Sequence, residues 1–252
     1  MQFDGLFKDV EQENAAELNK YLSAELGHQL VLLDTLDDYL NKSNSGVSTN
    51  NSLQITILNL MAQNLLLLNN SYLLFTQGYL RSAAVLLRTV SEQLILGMFF
   101  CENPEKEEEY KSTPHQDFFR NNRIEKMLKQ IDDNGKIFKI ENFSKFKFWN
   151  KHIFQNLFEE MSHFSHVDLE VINSLMLDPT TGKFHKTPWV HEDKVLLRIF
   201  LRKIMVCTIF SILVLDKFFE PEQSADQIDA IKVATGYING SLNVAPTGFS
   251  TS

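Results

Sequence analysis

The chain has 252 residues, with 24 Lys and Arg against 32 Asp and Glu, a net charge of −8. That balance argues against a general nucleic-acid coat and leaves room only for a local basic patch. Ten Gly and six Pro over this length argue against a turn-rich β fold and for long helices. At 44% hydrophobic, with 20 Phe, the sequence can bury a sizeable, aromatic-rich core.

The opening MQFDGLFKDVEQEN is acidic, where a secretory leader needs a basic start and an apolar run. Residues 11–41 read as one helix, since Leu18, Tyr21, Leu22, Leu26, Leu30, Leu33, Leu36 and Leu40 recur at three- and four-residue steps. The polar segment 42–52, KSNSGVSTNNS, reads as a linker to a second helix over 53–77. Gly78 marks a break before a third helix, 79–101, and Pro104 stops or restarts the chain. PEKEEEY, 104–110, reads as an acidic helix start, with Glu near the positive end of the helix dipole.

A helix from His115 to Ile131 follows, ended by a turn at Asp132, Asp133, Asn134 and Gly135. Residues 136–150 read as irregular or a short helix, and 150–164 and 167–177 as two further helices. Turn signals in 178–191, DPTTGKFHKTPWVH, suggest a small hairpin or an ordered loop. A long helix covers 192–219. Its uncharged run from Ile204 to Leu215 is too short to span a bilayer, which takes about 20 residues, and reads as core. Pro221 opens a last helix to about Ile238, and 240–252 reads as a flexible tail.

The sequence thus predicts an all-α single-domain bundle of seven or eight helices over 1–239. The two cysteines, Cys101 and Cys207, lie far apart in apolar settings and read as reduced core thiols of a cytoplasmic protein. No membrane association is expected, and nothing calls for a cofactor.

Three constellations could carry chemistry. In the third helix, Arg81, Arg88 and Glu92 fall within roughly 40° of one another at about 100° per residue. Arg88 and Glu92 can pair at i, i+4, and Val85, Leu96 and Phe99 near that stripe suggest partial cover. In FEEMSHFSHVDLE, 158–170, Glu159, His163 and His166 share one helical face. Two imidazoles and a carboxylate can bind a transition metal or act as an acid–base pair near neutral pH. Glu160 and His163 have the spacing of carboxylate di-metal bundles, but a second such motif is absent. In GKIFKIENFSKFKFWNKH, 135–152, Lys139, Lys145, Lys147 and Lys151 alternate with aromatics including Trp149. That pattern suits a phosphate backbone and base stacking, or a loop anchored by its rings with lysines in water. Phosphate-loop, dinucleotide, zinc-protease and nucleophile-elbow motifs are missing.

The run GYLRSAAVLLRTVSEQLILGMFFCENPEKEEEY with the later FEEMSHFSH resembles the HEPN superfamily of helical bundles. Arg88, Glu92, Asn103, Pro104, Ser162, His163, Ser165 and His166 carry the resemblance, over about 90 residues. It implies a helical dimer that cleaves RNA or binds a nucleotide, in phage defence or a stress response. The family's RNase motif is an Arg followed by four to six residues and then a His. No Arg here has that spacing, so no catalytic residue comes from the motif. The expected site joins Arg88 and Glu92 to His163 and His166, with His as acid–base and Arg as phosphate ligand. RNA or a nucleotide and a second copy of the chain are the expected partners. Two other readings stay open: a non-catalytic interaction or dimerisation module, and a metal-binding bundle using Glu159, His163 and His166.

Overall fold

Leucines at three- and four-residue steps need a partner surface, and four long helices supply it to one another. In the computed structural model, which describes residues 8–47, 51–134, 157, 194–221 and 224–242, the elements run in this order. They are α1 (Lys8–Ser45), α2 (Ser52–Thr76), α3 (Leu80–Glu102), α4 (Glu105–Ser112), α5 (His115–Asn121), α6 (Ile124–Asn134), α7 (Lys194–Phe219) and α8 (Ala225–Leu242). Among the described residues there are eight helices and no strand. The protein is an all-α single-domain bundle. The segments predicted over 136–150, 150–164, 167–177 and 178–191 lie outside the described residues, except Leu157, which is buried.

Side-chain ties give the helix directions. Asn14 Nδ2 donates to Gln77 O at 2.9 Å and Tyr79 Oη to Glu11 Oε1 at 2.8 Å. These join the start of α1 to the end of α2, so the two run antiparallel. The link from Gln93 Nε2 to Gln63 Oε1 at 3.0 Å and that from Ser71 Oγ to Ala83 O at 2.9 Å make α3 antiparallel to α2. Arg198 meets Glu25 and Gln29 meets Thr208, so α7 runs parallel to α1. α6 packs on α3, and α8 on α1 and α7.

Gly78 ends α2 for a physical reason. Its φ is 93°, a left-handed conformation that costs a residue with a Cβ. Its N–H donates to Phe75 O at 3.1 Å and that of Tyr79 to Leu74 O at 2.8 Å, the paired closure of a Schellman cap. Leu18, Leu22, Leu36, Ile57, Met61, Leu68, Leu94, Phe99, Leu201 and Ile212 fill the centre. Phe100, Tyr110 and Phe118 continue it under α4 and α5, with the Tyr110 and Phe118 rings 5.0 Å apart, edge to face. α3 is long and apolar enough to cross a membrane by length and composition, with 67% of its most apolar window buried inside the bundle.

Several expectations are corrected. The helix predicted from His115 to Ile131 is two, α5 and α6. Asn122 breaks it: its buried side chain donates to Phe118 O at 3.2 Å and to Glu109 Oε1 at 3.3 Å, while its ψ of 72° leaves the helical region. The turn expected at Asp132–Asn134 is instead the end of α6. Tyr21 and Leu30 are exposed rather than core, and Tyr21 lies under Lys194 Nζ at 3.6 Å. The last helix starts at Ala225, not Pro221. Ser224 and Gln227 cap it reciprocally, by Ser224 N to Gln227 Oε1 at 3.0 Å and Gln227 N to Ser224 Oγ at 3.3 Å. It runs on to Leu242, into residues expected to be tail. Residues 243–252 lie outside the described residues.

Candidate functional site on the third helix

α3 has two characters along its length. From Leu94 to Glu102 every residue is buried. Over its first half only the inner positions Leu80, Ala83, Ala84, Leu87, Val90 and Ser91 are buried, and the stripe of Arg81, Val85, Arg88 and Glu92 forms an edge. Leu96 and Phe99 cover the far end of that stripe, as expected. Val85 does not cover its middle, being 41% exposed.

Arg88 Nη2 lies 3.5 Å from Glu92 Oε1, with side-chain exposures of 28% and 38%. The distance suits a loose ion pair within one helix, worth a few tenths of a kcal/mol in such partly open surroundings. The buried-pair reading therefore does not apply. Arg88 is a partly exposed edge group whose Nε is covered. Arg81 sits two turns earlier on the same stripe, so among the described residues the edge carries two cations against one carboxylate.

His163, His166 and Glu159 lie outside the described residues, as do Lys139, Lys145, Lys147, Lys151 and Trp149. Whether the two halves of the expected site meet is thus not given by the described residues. Among them, no group of three or more His, Cys, Asp or Glu is placed to hold a metal. Burial pushes the Cys101 and Cys207 thiols well up, so neither is a ready nucleophile.

Sequence reasoning missed one titrating group. Lys203 of α7 is partly buried, and burial lowers its amine to about 8. A Cβ placed on Gly97 would lie 3.9 Å from Val214 Cγ1, so these residues face each other across the parallel α3 and α7. Eleven residues earlier on each helix, Lys203 stands level with Leu86, about 3 Å along the axis from Arg88. It lies within about 20° of Val214 around α7, on the side toward α3. Arg88 is half a turn around α3 from Gly97. The two cations therefore stand at one height on either side of the buried face formed by Ala84, Leu87, Ser91 and Met98. Only the lysine's place just before an apolar run hinted at this in the sequence.

Residues 54–153 match the model of a family of unknown function, DUF5677. The match takes in α2 through α6, and with them Arg88, Glu92 and the Asn103–Pro104 turn. The chain matches no curated protein and no solved structure.

Proposed function

We propose that this is a HEPN-like helical protein that binds RNA or a nucleotide phosphate along the outer edge of α3. The reading rests on one observation, the excess of cations on that edge among the described residues. Arg81 and Arg88 face one carboxylate, Glu92, at 3.5 Å from Arg88, in a chain of net charge −8. A guanidinium in a loose pair can exchange its carboxylate for a phosphate oxygen at little cost, and it presents a planar fork that suits phosphate. In the catalytic form of this reading, His163 and His166 supply the acid–base pair and Arg88 stabilises charge on the phosphate. Its biological setting, phage defence or a stress response, follows from the HEPN resemblance.

Fluorescence anisotropy with a labelled single-stranded RNA tests the binding. Arg88→Ala and Arg81→Ala should each weaken it and each reduce the salt slope by about one, while Lys20→Ala, on the far side of α1, leaves it unchanged. Equal affinity in all variants, or none in the wild type, rules the reading out. RNA degradation by wild type and by His163→Ala tests the catalytic form, which fails if their rates are equal.

A further inference from the structure

α2 carries two apolar faces, and only one is used inside the bundle. Ile57, Met61, Asn64, Leu68, Ser71 and Phe75 point into the core. On the outside, Ile55, Asn59, Ala62, Leu66, Asn69 and Leu73 are all exposed, Leu66 at 65% and Leu73 at 46%. Their steps are four, three, four, three and four, the spacing of a two-stranded coiled-coil seam. It runs about 27 Å from Ile55 to Leu73 at 1.5 Å per residue. The flanking Thr56, Gln63 and Asn70 are also uncharged, and α2 contains no Asp, Glu, Lys or Arg at all. The outer side of α1 looks different: it also exposes Leu30 and Val31, but sets Glu13, Lys20, Asp34 and Asp37 among them.

We propose that this seam is a homodimer interface, in which α2 packs antiparallel against α2 of a second copy. Two arguments select a second copy as the occupant. Each chain carries a net charge of −8, so copies repel over most of their surfaces. The charge-free face of α2 is where they can meet without opposing like charges. The seam is also complementary to itself. Under a two-fold axis at the height of Asn64, Ile55 meets Leu73, Asn59 meets Asn69 and Ala62 meets Leu66. Each amide then finds an amide, and the small residue fills beside the large one. Parallel pairing in register would set Ala62 on Ala62 and leave a gap. The antiparallel contact is isologous and closes on itself, and polar Asn pairs within such a seam fix its register. This inference does not depend on RNA binding.

Sedimentation of the full chain should give a dimer. Leu66→Glu with Leu73→Glu should give a monomer with an unchanged far-UV circular dichroism spectrum, because both side chains are exposed in the single copy. Mild oxidation adds a geometric readout, since the native Cys101 and Cys207 are buried. The double variant Ile55→Cys with Leu73→Cys should form a covalent dimer, and neither single variant should. A monomeric wild type, a dimer that survives the two glutamates, or crosslinking by the single variants each overturns the proposal.

Discussion

Gln29 of α1 donates from Nε2 to Thr208 Oγ1 of α7 at 2.9 Å, and both side chains are fully buried. Thr208 Oγ1 in turn donates to Ile204 O, also at 2.9 Å. The threonine hydroxyl thus both accepts and donates, whereas Gln29 Oε1 finds no donor among the described residues. Thr208→Val would leave the Gln29 amide with no described acceptor and should cost about 1–3 kcal/mol. Gln29→Leu with Thr208→Val removes the polar pair together and should recover much of that loss. Urea unfolding of the two single variants and the double variant measures the coupling; additive losses would refute it.

The turn at Gly78 makes a separate prediction. With φ at 93° and both cap hydrogen bonds formed, Gly78→Ala should lower stability by about 1–2 kcal/mol through backbone strain alone. Far-UV circular dichroism should stay the same, since α2 and α3 remain packed on each other. A variant as stable as wild type in thermal or urea unfolding contradicts the strain argument.

These two sites also show what was legible in the sequence. Helical class, the extents of α2 and α3 and the break at Gly78 follow from local rules, namely periodicity and the demands of one backbone angle. The start of α8 was legible as well: Ser224 followed by Gln227 spells a capping box, although Pro221 was the louder signal. The split at Asn122 was not, because it depends on Glu109, a tertiary partner. Arg88 and Glu92 were found by spacing. Their openness was not, because Val85 looks like cover in one dimension and is solvent-facing in three. Lys203 escaped because its amine is perturbed by burial between helices distant in sequence.

Glu107 is the clearest case of hidden burial. Within the acidic run that opens α4, it is 2% exposed. Thr56 Oγ1 donates to it at 2.6 Å and Ser52 Oγ at 3.1 Å, from successive turns at the start of α2, and Lys111 pairs with it. Burial alone would raise its carboxyl, but the hydrogen bonds from Lys111, Thr56 and Ser52 outweigh it and hold the group below the usual 4.5. A depressed carboxyl stabilises the fold above its unfolded value, and that support is lost as pH falls through the folded one. Glu107→Gln should cost about 2 kcal/mol near pH 7, with the gap to wild type shrinking in acid. A gap that is flat with pH excludes the ion pair as its source.

At Lys203 the pKa is also depressed, but here it is the charged form that burial penalises. Burial disfavours its ammonium, so the folded value of about 8 lies below the ordinary 10.5. Between those values the unfolded chain binds more protons than the folded one, and stability rises with pH across that window. Below about pH 8 the folded state bears the full penalty of a charge held out of water. Lys203→Met keeps the length of the side chain and removes the charge, so it should stabilise the fold most at neutral pH. Its advantage should narrow as pH climbs from about 8 toward 10.5, where wild type sheds the proton as well. Chemical unfolding of both proteins across that range measures the difference. A methionine variant less stable than wild type at pH 7 would mean that the interactions of the Lys203 ammonium outweigh its burial penalty, and would refute the argument.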